Sequence, residues 1–572
     1  MKTKIYILLA FVSTLAFSCK QTDEFLTRDP LDKLTDDTYW TSEGNVRTFA
    51  FGFYTQNFPG YAAGFDLTWG GYFSGESLND DFAPTTPTVL TRNVPATANL
   101  VADWNFSFIR KANLFIDRIK QVPMSDEAKN NWTGVGRFFR AMEYAKKVRK
   151  YGDFPYYNQV LSETDNAALY KPRDSRELVM DSVLADFKYA VANVRAADLT
   201  TGPQGLVVNK YVVLAFMSRV FLFEGTWQKY QKNNIVKANE YLEASKWAAN
   251  EVMSTGLFAI SSDYRKLFTS LDLTGNTEVI MYRSYLTGII THSLNSYNNK
   301  EPQTGVSKNA IESYLDSVGL PIGISTLYQG DKTIKNVMAH RDPRLKITIA
   351  PQIRLNGVIA NYSSSGYATQ KFLNEDIKDL TEGNSSLNTT DAPVIRYAEV
   401  LLNYAEASAE LGTLTQEDLN KTINKIRKRA GVNIPDLGVI GTQATANGVV
   451  YDDPSRDSSV SSILWEIRRE RRVELMMEGF RNDDLRRWKK YTYLDTKVNA
   501  DINRGAWIKK ADYPTSTLTI ENSASEGYII PAPKTESQRM FDNARVYLTP
   551  IPQDQIKLYK DQGVELTQNP GW

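Results

Sequence analysis

Four glutamates recur at every fourth position in residues 463–488, the most charge-dense part of the chain. This stretch, ILWEIRRERRVELMMEGFRNDDLRRW, contains good helix formers and no proline, so it is predicted to form a helix. The glutamates are Glu466, Glu470, Glu474 and Glu478. On a helix they stack into one acidic ridge, in which like charges repel. Because apolar residues flank this ridge, we expect a partly buried ion-pair network rather than a solvated charged face.

Residues that usually perform nucleophilic or metal chemistry are scarce. Cys19 is the single cysteine, and His292 and His340 are the two histidines. The chain therefore has no internal disulfide, and a structural zinc site of the Cys/His type cannot be assembled. Both histidines lie in unremarkable contexts, so we expect structural or surface roles for them. Glycoside hydrolysis needs two carboxylates, but with 66 Asp and Glu such a pair occurs by chance.

Length and composition are those of a large globular protein. The chain has 572 residues, of which 42% are hydrophobic and 23% charged, which is ample for a sizeable core. A formal net charge of +1 gives no argument for a nucleic-acid partner. Aromatic residues are abundant, with 31 Tyr, 25 Phe and 10 Trp, and those on the surface would suit stacking on sugars or other flat apolar faces.

Amphipathic patterns predict helices in two blocks of the chain. The predicted helices cover residues 104–121, 132–151, 176–194, 210–227, 238–253, 392–411 and 419–430. Candidate cations for the acidic ridge lie in or beside the last of them: Lys421, Lys425, Arg427, Lys428 and Arg429. Residues 264–390 are rich in Ser, Asn, Gly and Pro, which predicts loops with short hairpins. Residues 57–99 are also loop-rich, with interleaved aromatics.

The N-terminus has the pattern of an export signal. Lys2 and Lys4 precede a mostly apolar run that is too short to span a bilayer, so residues 1–18 are predicted to be a signal peptide. Cys19 follows this run and small residues, which looks like a lipobox; the alternative is an ordinary signal peptide with a chance cysteine. Lipid on Cys19 would anchor a soluble domain to a membrane. Residues 19–37 would then be the lipidated N-terminus and its tether.

Several motifs together resemble the SusD/RagB family of surface nutrient-binding lipoproteins from the Bacteroidetes outer membrane. ERRVELMMEGFRNDDLRRW at 470–488 resembles the late signature of that family, and GRFFRAMEYAKKVRKYGDFPYY at 136–157 is similar to an earlier segment. Two further segments also resemble this family: HRDPRL at 340–345 and the tail LTPIPQDQIKLYKDQGVELTQNPGW at 548–572. The resemblance runs from Cys19 to the C-terminus, and it is weak at 57–100 and 280–390.

The resemblance implies a mostly α fold. This fold is a SusD-like α/α superhelix of four tetratricopeptide-like helix pairs, with a loop-rich region that carries short hairpins. Residues 38–572 are expected to form a single SusD-like domain. Its helical scaffold would cover about 100–256 and 392–490, its variable ligand loops about 57–100 and 264–390, and its C-terminal tail 547–572.

The resemblance also implies a function without catalysis, cofactor or metal. Members of the family capture glycans at the cell surface and deliver them to a SusC-like TonB-dependent outer-membrane transporter. The expected location is the outer membrane, lipid-anchored and facing the cell surface. Capture of peptides by the same architecture and a glycoside hydrolase remain the alternatives.

Sugar binding needs aromatic rings for the C–H faces of the sugar and polar side chains for its hydroxyls. We predict the ligand to lie across loops from 57–100 and 270–330, because these stretches combine loop composition with aromatics. The candidate stacking residues are Trp69, Tyr72, Tyr285 and Tyr297, and the candidate hydrogen-bonding residues are Arg92 and Asn93.

Overall fold

The structure is a computed structural model that describes residues 39–62, 79–86, 104–197, 205–533, 539–541 and 543–572. The predicted signal peptide, the predicted lipidation site Cys19 and the predicted tether lie outside these residues. The longer helices are α1 (Glu43–Phe51), α2 (Ser107–Arg118), α3 (Asp126–Tyr151), α4 (Arg176–Asn193), α5 (Lys210–Trp227), α6 (Ile235–Ser254), α7 (Tyr397–Glu410), α8 (Ser462–Glu474), α9 (Arg481–Arg487) and α10 (Gln553–Asp561). The shorter helices are Tyr54–Asn57, Asn166–Leu169, Lys266–Thr269, Leu294–Asn299, Lys308–Glu312, Ile334–Met338, Pro343–Thr348, Gln416–Lys421 and Ile423–Arg427. Among the described helices, none is long and apolar enough to cross a membrane.

Helices α2 to α6 form close to where the sequence predicts them. Local capping explains their ends: the Ser125 side chain accepts a hydrogen bond from the backbone of Ala128 at the start of α3, and Asn209 accepts two at the start of α5. Gly152 ends α3 with a positive φ of 76°, a conformation that favours glycine. Ile119–Gln121 continues α2 as a 3-10 turn.

The long helices pack on one another in chain order and form the scaffold. Helix α3 packs on both α2 and α4, α5 packs on α6, α6 on α7, and α7 on α8. A continuous apolar core, with Phe139, Phe216 and Leu401 among its fully buried members, runs between them. The mostly helical fold predicted from the sequence is confirmed, and its helices form one consecutive array.

The strands are short and antiparallel. They are β1 (Phe82–Ala83), β2 (Val279–Arg283), β3 (Gly305–Val306), β4 (Ala392–Arg396), β5 (Leu437–Ile440), β6 (Gln443–Ala446), β7 (Val449–Val450), β8 (Trp507–Lys509) and β9 (Glu526–Tyr528). Strand β1 pairs with β3, β2 with β4, β8 with β9, and β5, β6 and β7 form one meander. Strands β2 and β3 of the loop-rich half thus pair with β4 and β1, which lie far from them along the chain. The apolar core of this half includes Tyr264, Phe268 and Leu345.

Two predicted helices differ from the structure. Residues 392–396 form strand β4, because Ala392 and Arg396 pair with Arg283 and Val279 of β2, and this tertiary pairing overrides helix propensity. Residues 419–430 form two short helices, Gln416–Lys421 and Ile423–Arg427, separated at Thr422.

The prediction of a single helix over 463–488 is wrong, because the structure has two helices there. Helix α8 ends at Glu474 and α9 starts at Arg481, with Met477 and Gly479 at φ of 67° and 83° between them. The carbonyl at the end of α8, that of Glu474, accepts hydrogen bonds from the Tyr264 hydroxyl (2.7 Å) and Arg396 (2.7 Å). Tyr264 of the loop-rich half and Arg396 of β4 therefore satisfy this carbonyl, so the helix can end at Glu474 without an unpaired acceptor there.

The C-terminal tail packs against the body of the protein, as its apolar residues predict. Ile551 and Leu566 are buried, and Ile556 packs against the same core. The apolar side chain of Leu558, in contrast, is 39% exposed because it lies on the outer face of α10. Arg173 donates hydrogen bonds to the Thr567 carbonyl (2.9 Å) and to Asn569 Oδ1 (2.7 Å), which fixes the tail to the scaffold.

Candidate functional site

The four glutamates of the acidic ridge are buried and paired with cations, as the sequence predicts. Glu474 is the centre of the network, with Arg429 at 2.6 Å, Arg396 at 2.7 Å and Arg344 at 2.9 Å. The other ridge pairs are Glu466–Arg469 at 3.0 Å, Glu470–Arg344 at 2.7 Å, Glu470–Arg427 at 2.9 Å, Glu478–Arg396 at 2.7 Å and Glu478–Lys371 at 2.8 Å. The expected ion-pair network is therefore confirmed.

The cations of this network come from both halves of the molecule. Of the predicted partners, Arg427 and Arg429 contribute, whereas Lys421 pairs with Glu417 and Lys428 with Asp436 at the surface. Lys425 is exposed. Sequence reasoning did not identify Arg344, Arg396 or Lys371 as partners, although Arg344 belongs to the HRDPRL motif. The ion pairs of the network thus connect α8 to both the helical scaffold and the loop-rich half.

The surrounding arginines keep the central carboxylate of the network, Glu474, ionised. Burial opposes ionisation of Glu474, but the charges of Arg429, Arg396 and Arg344 outweigh it and lower its pKa to about 2. Burial lowers the pKa of Lys371 to about 8, although Glu478 opposes this shift. Every glutamate of the network is paired with at least one cation inside the protein, so we assign the network a structural role.

The other face of α8 lines a cavity of about 610 Å³. Trp465, Arg468, Arg469 and Arg472 fall at i, i+3, i+4 and i+7 and therefore form one stripe on the helix. Arg481 and Trp488 from α9 extend this wall. Further wall residues are Asp80, Asn309, Glu312, Ser313, Pro321, Ile322, Gly323, Asp453, Ser455, Asp457, Thr492, Tyr493, Val498, Asn499 and Asp501. The cavity therefore includes residues of both stretches predicted to contact ligand, 57–100 and 270–330.

Two half-buried aromatic rings stand together in the cavity wall. The indole N–H of Trp465 donates to Asp453 Oδ2 at 3.0 Å, and the hydroxyl of Tyr493 donates to Asp457 Oδ2 at 2.6 Å. The ring centroids of Trp465 and Tyr493 lie 6.5 Å apart in an edge-to-face arrangement. Each ring is thus held at its polar end, and its apolar body is available to a flat ligand face.

The arginines of the cavity are fixed by carboxylates at its wall. Arg481 donates to both oxygens of Asp80, each at 2.7 Å, and Arg472 lies 3.3 Å from the same carboxylate. Arg472 also donates to Asp81 Oδ1 at 2.7 Å. Asp80 and Asp81 belong to the segment GESLNDDFA, so this acidic pair positions the arginines of α8 and α9.

Most of the predicted ligand-binding residues lie outside the described residues: Trp69, Tyr72, Arg92 and Asn93. Tyr297 is half-buried and packs against the core of the loop-rich half. Tyr285 was expected on an exposed loop, but it is only 6% exposed, because its hydroxyl donates to the Tyr61 carbonyl at 2.6 Å. Its ring also packs edge-to-face on His292 at 4.7 Å. The cavity does not include Tyr285 or Tyr297.

His292 has the structural role expected for it. It is fully buried, its Nδ1 accepts a hydrogen bond from the Leu294 backbone (3.1 Å), and its Nε2 faces the Thr390 carbonyl (2.9 Å). Because Nδ1 accepts, the proton of the neutral ring lies on Nε2, which donates to Thr390. Burial lowers the pKa of His292 to about 3, and the hydrogen bond to Thr390 opposes this shift only in part.

Sequence reasoning missed the residues that form most of the cavity. Trp465, Arg468, Arg472 and Arg481 were assigned only to a charged helix, and Tyr493 was not singled out. The available signal was the stripe of residues 465, 468, 469 and 472, which is rotated away from the acidic ridge by more than a third of a turn. An aromatic residue on a helix face made otherwise of arginines indicates a surface that is neither core nor ordinary solvent face.

The fold and the cavity define a predominantly helical protein with an aromatic and arginine-lined cavity where its two halves meet. The model of the SusD family matches residues 275–572, and the chain belongs to this family. This confirms the resemblance that the sequence motifs indicate.

Individual relatives are distant in sequence but span most of the chain. SusD-like protein P38 of Formosa agariphila is 24% identical over 504 residues, which cover 83% of this chain and 90% of that protein. A SusD-like protein of Bacteroides ovatus is 23% identical over 516 residues, which cover 87% and 84%. The fold is similar to that of a SusD-like carbohydrate binding protein from Bacteroides fragilis, with a TM-score of 0.67, 23% identity and coverage of 91% of this chain and 99% of that one.

Proposed function

We propose that this protein binds nutrient glycans at the cell surface. The observation that carries the proposal is the cavity on α8, in which Trp465 and Tyr493 stand beside fixed arginines and carboxylates in a member of the SusD family. Aromatic rings accept the apolar faces of sugar rings, and rigid charged groups hydrogen-bond their hydroxyls. A volume of about 610 Å³ lies in the range of small-molecule sites and suits a few sugar units. The carbohydrate-binding relative from Bacteroides fragilis supports this ligand class.

We further propose that the glycan passes to a SusC-like TonB-dependent outer-membrane transporter, with the protein anchored beside it through lipid on Cys19. The family membership and the signal-peptide pattern of residues 1–18 support this location. Replacement of Cys19 by Ala should release the protein from the membrane fraction, since the N-terminal lipid would be its anchor. Fractionation and fatty-acid labelling measure this, and a Cys19→Ala protein that stays in the membrane with unaltered labelling would contradict the lipid anchor.

A glycan and peptide array, probed with protein that starts after Cys19, tests the binding function directly. We expect binding to glycans, because the cavity combines half-buried rings with fixed polar groups. Binding to peptides without glycans would favour peptide capture instead. The same glycans should remain intact after prolonged incubation, as measured by product analysis, because we propose binding without hydrolysis. Released sugar at a rate above a buffer control would instead indicate a glycoside hydrolase.

A further inference from the structure

Three arginines in the cavity wall have hydrogen-bond donors that the protein does not use. Arg468 donates through Nη2 to Glu410 (2.9 Å) and Tyr230 (3.1 Å), and Arg472 and Arg481 donate through Nε and Nη2. Within the described part of the chain, Nη1 of Arg468, Arg472 and Arg481 donates no hydrogen bond, since the bonds of these residues run through Nε and Nη2. The Nε of Arg468, whose side chain is only 6% exposed, likewise has no acceptor there. Guanidinium groups that are largely enclosed normally find hydrogen-bond partners, so the unused Nη1 donors of these three arginines, whose side chains are mostly buried, point to a ligand in the cavity.

The three guanidinium groups are held close to one another. Arg468 lies 4.3 Å and Arg481 5.9 Å from the centroid of the Trp488 ring, so both stack on one indole. Arg481 and Arg472 share the carboxylate of Asp80. This chain of contacts connects all three arginines along one wall, and each is fixed before a ligand arrives.

The carboxylates of the cavity, in contrast, are largely occupied. Asp80 accepts from Arg481 on both oxygens, and Asp457 accepts from Lys490 and Ser459 as well as Tyr493. Asp453 accepts from Trp465, Arg469 and Ser455, and Asp501 from Lys308 and Arg504. Glu312 accepts from Lys308 through one oxygen. The wall therefore has spare donors and few spare acceptors, the opposite of what a ligand with many hydroxyl donors needs.

We infer that the cavity binds an acidic saccharide, whose carboxylate or sulfate group accepts hydrogen bonds from Arg468, Arg472 and Arg481 while a sugar ring packs on Trp465. This inference rests on the proposed glycan binding and names the class of glycan. Carboxylates and sulfates offer several acceptor oxygens without a donor, and charge-assisted hydrogen bonds to guanidinium are about twice as strong as neutral ones. Uronates and sulfate esters share this chemistry, and the experiment separates them.

The test is calorimetry of the wild-type protein with matched pairs of oligosaccharides. One panel holds uronate oligosaccharides of several backbones with their carboxyl-reduced partners, and a second holds sulfated oligosaccharides with their desulfated partners. We expect an acidic member to bind about tenfold or more tightly than its neutral partner, with affinity that falls as salt rises. The panel that shows this preference identifies the group as carboxylate or sulfate.

Conservative variants link the preference to the arginines. Arg481→Lys and Arg468→Lys keep the positive charge near Asp80 and Glu410 but remove the unused Nη1 donor. Each should reduce the acidic preference by about tenfold, while Arg110→Lys, on α2 far from the cavity, should leave it unchanged. Neutral partners that bind as tightly as acidic ones would overturn this inference and leave glycan binding standing. Binding of no saccharide from either panel would overturn both.

Discussion

At the scale of single residues, the aromatic side chains divide into two groups. Tyr285 is locked into the core by its hydrogen bond to Tyr61 and its contact with His292. Trp465 and Tyr493 are half-buried in the cavity wall, where a ligand face can pack on them. The sites predicted at Trp69 and Tyr297 stay predictions, and alanine variants at those positions test them by the same titration as below.

Replacement of Trp465 by Ala should weaken glycan binding. Loss of a stacking ring costs about 0.5–2 kcal/mol, which is roughly a 2- to 30-fold loss in affinity. Isothermal titration with a glycan identified on the array measures this. Trp247→Ala is the matched control, because Trp247 is an exposed indole on α6 outside the cavity. If Trp465→Ala binds as tightly as wild type and stays folded, the cavity on α8 is not the binding site.

The buried His292 should make stability depend on pH. Its folded pKa of about 3 lies below the ordinary 6.5, so the unfolded chain binds a proton that the folded chain does not, and stability is lost as pH falls below about 6.5. From pH 7 to pH 5 this amounts to about 2 kcal/mol. Asp391 acts in the opposite direction, since burial raises its pKa to about 6.

The His292→Asn variant separates the contribution of His292 to the pH dependence of stability from that of opposing groups such as Asp391. In His292→Asn the proton uptake is absent, whereas Asp391 remains in both proteins. Denaturant unfolding should therefore show a stability difference between wild type and variant that shrinks by about 2 kcal/mol between pH 7 and pH 5. A difference that is constant over this range would show that the pKa of His292 is the same in the folded protein as in the unfolded chain.

At the scale of elements, α8 has two faces with different roles. The ridge of Glu466, Glu470 and Glu474 is clamped by arginines from both halves of the molecule, and the stripe of Trp465, Arg468 and Arg472 lines the cavity. Because these ion pairs hold α8 in place, a short helix can present a cavity wall with fixed geometry. Burial of charges is tolerated here because every carboxylate of the ridge is paired with a cation, Glu466 with one and Glu470 and Glu474 with two or more.

Replacement of Glu474 by Gln should destabilise the protein strongly. It leaves Arg344, Arg396 and Arg429 buried with less negative charge, and breaking a buried pair costs about 3–5 kcal/mol. Thermal and denaturant unfolding measure the loss. Glu417→Gln breaks the exposed pair with Lys421 and should cost about 1 kcal/mol or less. Equal effects of the two substitutions would rule out a stabilising role for the network.

At the scale of the whole molecule, the C-terminal tail packs against the helical scaffold. Ile551 is fully buried in the main core, and Arg173, which precedes α4, hydrogen-bonds the end of the tail at Thr567 and Asn569. The tail therefore contributes to the stability of the helical array although it follows the loop-rich half in the chain.

Removal of the buried Ile551 side chain should lower the melting temperature. Ile551→Ala opens a cavity in the core, which costs about 2–5 kcal/mol, and deletion of residues 547–572 should cost more. Differential scanning calorimetry measures both. Leu558→Ala on the exposed face of α10 is the control and should have a small effect. An unchanged melting temperature in the deletion variant would mean that the tail does not stabilise the body.

The sequence by itself determined the features that depend on neighbours along the chain. Helices α3 to α6 follow from apolar periodicity and caps such as Ser125 and Asn209, and the ridge of Glu466 to Glu478 from a spacing of four. The motifs at 470–488 and 548–572 indicated the family. The buried cationic partners were also predictable in kind, because a ridge of like charges between apolar residues needs them.

Tertiary structure alone decided the features that depend on distant contacts. Strand β4 forms because β2 lies beside it, and α8 ends at Glu474 because Tyr264 and Arg396 satisfy its last carbonyl. The cavity depends on Asp80 and Arg481, which are 401 positions apart. Local periodicity carries no information about such pairs, because their geometry is set by how the two halves pack. For that reason the sequence placed stacking residues in loops, whereas the structure placed a cavity with its own aromatic rings on a helix.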